Sequence, residues 1–273
     1  MTGAVPDLRF VPVGRVLLHE ECDPERVERL ARRLQWEGVL KNPPVAALTD
    51  EGRAVVLDGA NRTSALIALG VPHVLVQVVE YEDPAVCLST WRHLLTEPLP
   101  DAARRFEDAL GMPLAWTTPE AAADRLDKRD ILAYVAIGGR ALEVPRAATL
   151  EQDADRLARL VGVYRGVARI HRVTAADPQA LAAEYGSVGL LVAFPPFDKT
   201  EIIRIAQDNA KLPTGITRHV IPGRALRVNL PLGRLTDPEP AEAKTAWMHG
   251  WIGAQLLEGR VRYYAEPTFL FDE

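Results

Sequence analysis

The string of residues 55–66 carries the sequence's clearest chemical signal. A β-branched run predicts a buried strand that ends in Asp58, and Gly59 permits a tight turn directly after it. The helix predicted next begins with backbone N–H groups that lack partners within the helix, and its dipole favours an anion at this end. Its first turn adds an amide, a guanidinium and a hydroxyl, which belong to Asn61, Arg62 and Thr63. Together these features indicate a phosphate site.

A simpler interpretation of the same string is a plain turn. Asp58 and Gly59 would then only reverse the chain, Asn61 would cap the helix, and Arg62 would lie on the surface. Short motifs arise often by chance, so local pattern alone leaves both interpretations open.

Alternating short strands and helices surround the string and are expected to position it. The clearest is a helix that ends at Gly38, because Asp23 offers an N-cap and Pro24 suits the first helical position. The other elements predicted here are strands at 8–13, 43–48, 54–57 and 74–79, and a helix at 60–69. This pattern is typical of a compact mixed α/β unit.

The remainder of the chain predicts a second domain. Residues 83–128 have a mostly helical pattern, including a helix that starts at Pro119 with Thr118 as its cap. Further strands are predicted at 131–137, 167–173, 188–194, 219–230 and 260–271, and helices at 150–164, 178–184, 198–209 and 240–257. The predicted fold class is therefore α/β in residues 1–90 followed by an α+β domain in residues 91–273.

Composition narrows the class of protein. The 273 residues carry 32 Lys+Arg and 37 Asp+Glu, a net charge of -5, with 48% hydrophobic and 25% charged residues. These are the proportions of a globular protein, which excludes a disordered or fibrous chain. No apolar run approaches the ~20 residues of a membrane helix, and the N-terminus lacks signal-peptide features, so we expect a cytoplasmic protein without a membrane partner. The acidic balance argues against nucleic acid as a partner. Cys22 and Cys87 are expected to be reduced thiols.

The string resembles the nucleotide-binding motif of the ParB/sulfiredoxin fold, an acidic-Gly-x-x-Arg turn between a strand and a helix. Asp58, Gly59 and Arg62 match that motif residue by residue. Within the superfamily, the chain resembles the free L-serine kinases, both the archaeal enzymes and the bacterial enzyme of siderophore biosynthesis. The blocks that carry this resemblance, in the family's order, are 18–20, 41–44, 58–63, 89–93, 116–120, 215–218 and 223–224. Pro119 interrupts the usual Trp-Thr-Thr-Glu run of the fifth block.

The resemblance implies a function and a set of roles. It implies transfer of a phosphoryl group from ATP or ADP to the hydroxyl of free L-serine, with Mg²⁺ as cofactor and O-phospho-L-serine as a precursor for amino-acid, cysteine or siderophore biosynthesis. Glu20 would be the general base and Asp58 the carboxylate at the metal and phosphates. The phosphate-binding residues would be Lys41, Gly59, Ala60, Asn61, Arg62 and Thr63. Serine would bind in a cleft between the two domains, in contact with Trp91, His93, Thr217 and Arg218.

Two other functions of related folds would require features that can be looked for in this sequence. A ParB-like, nucleotide-dependent regulator that binds DNA should carry a helix-turn-helix with a basic recognition helix, whereas residues 101–130 are mixed in charge. A sulfiredoxin-like reductase needs a reactive cysteine within the Gly-x-x-Arg turn, where this chain has Ala60 and Asn61. The DNA-binding regulator is kept as the alternative.

Overall fold

A computed structural model describes residues 5–264, and the chain in it forms two compact units. The first unit contains residues 5–17, 22–86 and 221–264, and the second contains residues 18–21 and 87–220. The sequence predicts a division at residue 90, and in the structure the chain passes from the first unit to the second between Val86 and Cys87. The sequence did not indicate that the chain returns to the first unit at Ile221, and this return is the main difference from a continuous domain of residues 91–273.

The chain first builds most of the first unit. Its elements in order are β1 (Asp7–Pro12), β2 (Val16–Leu18), α1 (Pro24–Glu37), β3 (Val39–Leu40), β4 (Val45–Leu48), β5 (Ala54–Asp58), α2 (Ala60–Ala68) and β6 (His73–Val78). Every strand and helix predicted ahead of residue 80 is confirmed. The reason is local, as α1 shows: the Asp23 side chain accepts a hydrogen bond from the Arg26 N–H, and Gly38 takes the left-handed conformation that ends the helix.

The second unit follows. Its elements are β7 (Cys87–Thr90), β8 (Arg92–Leu95), α3 (Ala102–Leu110), β9 (Ala115–Thr117), α4 (Pro119–Asp127), β10 (Ile131–Ile137), β11 (Arg140–Pro145), α5 (Leu150–Gly162), β12 (His171–Val173), α6 (Pro178–Tyr185), β13 (Leu190–Ala193), α7 (Lys199–Gln207) and β14 (Thr217–Val220). The chain then completes the first unit with β15 (Leu230–Pro231), α8 (Leu232–Thr236) and α9 (Ala241–Leu257). No helix within residues 5–264 is long and apolar enough to cross a membrane.

Three predictions of secondary structure need correction. The mostly helical pattern at 83–128 contains the strands β7, β8 and β9, because those residues pair with strands far away in sequence, as Thr90 does with Thr217. The strand predicted at 219–230 exists only at its two ends, since Arg227 and Asn229 take left-handed conformations that interrupt an extended chain. Of the last predicted strand, residues 260–264 are irregular and the rest lies outside the described residues.

The first unit is organised around a five-stranded sheet with the order β1-β6-β4-β5-β2. β6 lies antiparallel to β1 and parallel to β4, and β4 forms the predicted hairpin with β5. The returning segment adds β15 beside β3, and α9 packs against β1, where the Thr245 hydroxyl accepts a hydrogen bond from the Phe10 N–H. Met248 and Ile252 of α9 are thereby buried in the core of this unit.

The second unit contains a six-stranded sheet with the order β12-β8-β13-β10-β11-β9, and all neighbouring strands in it are antiparallel. A separate ribbon joins β7 to β14. That ribbon carries Ser89 and Thr90 on one strand and Thr217 and Arg218 on the other, so it brings together two of the sequence blocks expected to bind substrate.

Candidate active site

The strand β5, the turn at Gly59 and the first turn of α2 form the strand-turn-helix unit predicted from the sequence, and they lie in the first unit. We call residues 58–63 the phosphate turn. Gly59 has φ +94°, in the left-handed region, and a Cβ atom there would lie 3.1 Å from Cβ and 3.2 Å from Cα of Pro44. The position therefore requires glycine on two grounds. No side chain caps the start of α2, which leaves backbone donors of Ala60 and its neighbours available to an anion.

Asp58 pairs with an arginine from the returning segment. The guanidinium Nη2 of Arg224 donates to Oδ2 of Asp58, and both side chains are partly exposed, at 36% and 40%. The resemblance includes the Gly223-Arg224 block, but no pattern in the sequence indicates that this block lies beside Asp58. The structure thus adds a second guanidinium to the phosphate turn that already contains Arg62.

Two members of the phosphate turn are committed to internal roles. The Asn61 side-chain oxygen accepts a hydrogen bond of 2.8 Å from the Asp23 N–H, so it fixes the start of α1, and Asn61 can offer an anion its backbone N–H. Thr63 is fully buried, which places its hydroxyl inside the unit and not at the surface where a phosphate would arrive. The expected phosphate contact of the Thr63 hydroxyl therefore has no geometric support.

Lys41 lies at the end of β3 and is paired with α1. Its Nζ donates to Oε1 of Glu37 at 2.8 Å, and the pKa of that carboxyl is lowered first by this hydrogen bond and then by one from Arg33. The neighbouring Asn42 accepts a hydrogen bond from the Arg227 N–H. These contacts therefore tie the connection between β3 and β4 to α1 and to the returning segment.

The carboxylates present suit a magnesium ion held largely by a nucleotide. Within residues 5–264, no group of three or more His, Cys, Asp or Glu side chains is arranged to hold a metal. Magnesium typically takes one or two protein carboxylates and completes its shell with water and phosphate oxygens. Asp58, which is partly exposed beside the open end of α2, fits that requirement.

Glu20, the expected general base, belongs to the second unit. Its Oε1 accepts the backbone N–H of Thr217 at 2.9 Å and the Thr217 hydroxyl at 2.5 Å, and its Oε2 accepts the Gly215 N–H at 3.2 Å. The backbone is fixed as well, since the Leu212 N–H donates to the His19 carbonyl and the Glu21 N–H donates to the Leu212 carbonyl. We call His19, Glu20, Gly215 and Thr217 the Glu20 cluster. Sequence reasoning placed Glu20 in a loop but did not find these partners.

His93 supports the Glu20 cluster from the interior. It is 1% exposed, and its Nε2 lies 3.0 Å from the Gly215 carbonyl while its Nδ1 lies 2.8 Å from the Tyr164 hydroxyl. A carbonyl can only accept, so Nε2 carries the hydrogen and Nδ1 accepts from the tyrosine. Burial lowers the pKa of His93 to about 4, which keeps this imidazole neutral. The expected contact between His93 and substrate therefore becomes a supporting role.

Trp91 and Arg218 lie together at the ribbon of β7 and β14 in the second unit. Trp91 directly follows β7, and Arg218 lies on β14. The Arg218 guanidinium lies 4.9 Å from the centroid of the Trp91 ring, and the Trp91 N–H donates to the Ile216 carbonyl at 2.8 Å. Both side chains are partly exposed. The cation–π attraction holds the guanidinium over the ring, and a guanidinium so placed still has N–H groups that can bind a carboxylate.

Gln77 is a polar residue of the site region that sequence reasoning missed. It lies on β6, and its side-chain amide binds the backbone on both sides of Arg224. A lone glutamine among the valines and leucine of 74–79 is the signal that could have identified it, since a buried amide needs partners.

Two known proteins are similar to this chain over most of its length. The chain is 25% identical over 280 residues to the ATP-dependent L-serine kinase SbnI of Staphylococcus aureus, which covers 97% of each protein. It is also 25% identical over 241 residues to an ATP-dependent L-serine kinase of Staphylothermus marinus, with 83% of this chain and 90% of the relative covered. No protein-family model matches the chain.

Solved structures share the fold. C-terminally truncated SbnI from Staphylococcus aureus superposes with a TM-score of 0.72 at 22% identity, covering 93% of this chain and 97% of that one. A variant of a free serine kinase in complex with ADP gives a TM-score of 0.71 at 15% identity, with coverage of 86% and 98%. The mixed α/β architecture of this chain is therefore that of serine kinase structures.

Proposed function

We propose that this chain, which belongs to the free L-serine kinase family, phosphorylates the hydroxyl of free L-serine with ATP or ADP to give O-phospho-L-serine. The substrate and the nucleotide donor are proposed from the serine kinases to which the chain is similar. The residues of this chain supply groups suited to each step. In this proposal the first unit is a nucleotide-binding domain of ParB/sulfiredoxin type, and the second unit supplies the base and the groups that bind serine.

The observation that carries the proposal is the way Glu20 is held. Three donors from residues 215–217 bind its carboxylate, which has about four acceptor positions. The group is therefore fixed in orientation and keeps capacity to accept one more hydrogen bond, as a general base toward a hydroxyl must. In the reaction, the serine Oγ–H proton passes to Glu20, the new bond forms between Oγ and the terminal phosphorus, and the bond from that phosphorus to the nucleotide breaks.

The phosphate turn would hold the nucleotide. Gly59, Ala60 and Asn61 offer backbone N–H groups at the positive end of α2, and Arg62 and Arg224 supply guanidinium groups. We assign Lys41 an indirect part, because its ammonium is bound to Glu37. Positive groups at the phosphates absorb the charge that spreads over the phosphoryl oxygens in the transition state.

Asp58 would hold the magnesium ion. Bound magnesium would neutralise developing charge on the phosphates and align them for transfer. Asp58 itself would supply one carboxylate ligand, while its other tie to Arg224 keeps the side chain oriented.

Serine would be recognised by its two charged groups. The Arg218 guanidinium, which lies over one face of the Trp91 ring, is suited to the carboxylate of the amino acid, and the opposite face of the indole would be suited to its ammonium. Thr217 donates its hydroxyl to Glu20 and thereby contributes by orienting the base. The product would feed amino-acid, cysteine or siderophore biosynthesis.

The proposal is tested by a product assay. The protein is incubated with Mg²⁺, either ATP or ADP, and a panel of free amino acids, and phosphorylated products are identified by phosphorus NMR and mass spectrometry. We expect O-phospho-L-serine with at least one nucleotide. If no amino acid is phosphorylated with either nucleotide, and a mobility-shift assay shows strong, salt-sensitive DNA binding, the ParB-like regulator replaces the kinase.

A further inference from the structure

Gln77 is a buried amide in an apolar strand, with both ends of its side chain in use. It is 4% exposed, and its neighbours Val76 and Val78 are core residues. Its Nε2 donates to the Gly223 carbonyl at 3.0 Å, and its Oε1 accepts from the Ala225 N–H at 2.8 Å. A buried amide is costly unless both ends are bonded, so this pair of contacts explains how a glutamine is tolerated here.

The two bonded residues flank Arg224, and the strand register places Gln77 in line with Asp58. Val45 of β4 is the pairing partner of Asp58 on β5 and also of Gln77 on β6. Asp58 and Gln77 are therefore about 10 Å apart, across two strand spacings. Residues 223–225 bridge that distance, held at one side by Gln77 and at the other by the bond from Arg224 to Asp58.

We infer that Gln77 is a positioning residue of the phosphate site, which acts by holding the backbone of residues 223–225 so that Arg224 stays at Asp58. The inference rests on the proposed function and deepens it, because it assigns Arg224 as a cation for the nucleotide phosphates. A guanidinium that is fixed before the nucleotide arrives loses less conformational freedom on binding. Gln77 itself touches neither nucleotide nor serine in this account.

Hydrogen exchange tests the structural part without reference to any activity. Gln77→Met fills similar space but removes both hydrogen bonds, and it should raise the exchange rate of the Ala225 amide at least about tenfold, since that N–H loses its acceptor. Gln77→Glu keeps an acceptor for the same N–H, and with its carboxyl protonated it can also donate to the Gly223 carbonyl, so at low pH it should protect the Ala225 amide better than Gln77→Met does. Unchanged exchange in Gln77→Met would overturn the inference, whatever the protein catalyses.

Nucleotide binding tests the functional part through a double-mutant cycle. Calorimetry with ATP or ADP and Mg²⁺ should show about tenfold weaker binding for Gln77→Met, but less than about twofold further loss when it is added to Arg224→Ala, because both act through one contact. Val74→Ala, a core truncation on the same strand, controls for lost stability and should not change affinity. Losses that simply multiply in the double variant would mean that Gln77 does not act through Arg224.

These outcomes separate the inference from the proposed function. Absence of phosphoserine would contradict the kinase while the exchange data still decide whether Gln77 holds residues 223–225. Normal phosphoserine formation with unaltered nucleotide KM in Gln77→Met would leave the kinase intact and contradict the role of Gln77.

Discussion

Thr217 donates both its backbone N–H and its hydroxyl to the same oxygen of Glu20, at 2.9 and 2.5 Å. Because an ionised carboxylate only accepts, the threonine hydrogen points at Glu20 and the hydroxyl oxygen is left to accept from Nε2 of His19, 2.9 Å away. His19 is 2% exposed. A chain of hydrogen bonds therefore runs from the buried His19 through Thr217 to the half-buried Glu20 and fixes the direction in which the carboxylate points.

Thr217→Val tests this chain. The variant keeps the backbone N–H and the shape of the side chain but removes the hydroxyl, so Glu20 loses one of its three donors. We expect kcat for phosphoserine formation to fall about tenfold while the nucleotide KM stays unchanged, since orientation of the base affects the chemical step. Thr217→Ser retains the hydroxyl and should keep most of the activity. Equal activity of the valine and serine variants would contradict the role of the hydroxyl.

Gly59→Ala should lower the free energy of unfolding more than Gly70→Ala, the same change at the other end of α2. Both Gly59 and Gly70 have left-handed backbone, at φ +94° and +73°, but an added Cβ meets Pro44 only at Gly59. We expect the free energy of unfolding to fall by about 1 kcal/mol for Gly70→Ala and by about 2 to 3 kcal/mol for Gly59→Ala, from urea denaturation.

Nucleotide affinity separates the two glycine variants further. Gly59→Ala should also weaken nucleotide binding, because the start of α2 must shift away from Pro44 to admit the methyl group. Gly70→Ala should bind nucleotide normally. Equal nucleotide affinities for both variants would show that the phosphate turn is not the nucleotide site.

Asp58→Asn should remove the benefit of magnesium. We expect the wild-type protein to bind nucleotide more tightly with Mg²⁺ than without it, and Asp58→Asn to show nearly equal affinities in the two conditions, because an amide replaces the carboxylate ligand. Calorimetry with and without Mg²⁺ measures this difference. The matched control is Asp50→Asn in the exposed turn of the β4–β5 hairpin. A full magnesium effect in Asp58→Asn would reject Asp58 as the ligand.

His93 predicts a pH dependence of stability. Burial lowers the pKa of His93 from 6.5 to about 4 in the folded protein. Between pH 6.5 and pH 4, the unfolded chain therefore binds a proton at this residue and the folded protein does not. The stabilisation is complete above pH 6.5 and is lost as the pH falls towards 4. We expect this group to lower the free energy of unfolding by about 2 kcal/mol between pH 7 and pH 5.

The pH prediction is checked by urea denaturation of the wild type and of His93→Gln. The glutamine amide can replace both hydrogen bonds but does not titrate. The free energy of unfolding of His93→Gln should therefore fall less between pH 7 and pH 5 than that of the wild type, by about the same 2 kcal/mol. Identical pH profiles would show that His93 is not held neutral in the folded protein.

Local signals explain what the sequence predicted well. Asp23 caps the start of α1 and Gly38 ends it, both through contacts within a few residues. In the same way, Asp58 and Gly59 of the phosphate turn mark the end of β5 and the start of α2. These features depend on neighbours along the chain, so their residue types alone carry the information.

Long-range contacts explain what the sequence did not predict. Strand β7 exists because it pairs with β14. The buried ring of His93 forms hydrogen bonds with Tyr164 and Gly215, which are both far away in sequence. The approach of Arg224 to Asp58 depends on a chain return at residue 221 that no local pattern announces. Partners of this kind decide which polar residues serve the site and which support it.

The most direct test of the account compares Glu20→Gln with Glu21→Gln. Glu21 is the adjacent carboxylate and is paired with Arg165, so its variant controls for the loss of a negative charge at this place in the chain. Phosphorus NMR should show O-phospho-L-serine accumulating with the wild type and with Glu21→Gln, and no product with Glu20→Gln although calorimetry still detects bound nucleotide. Phosphoserine formation by Glu20→Gln at the wild-type rate would contradict the assignment of Glu20 as the base.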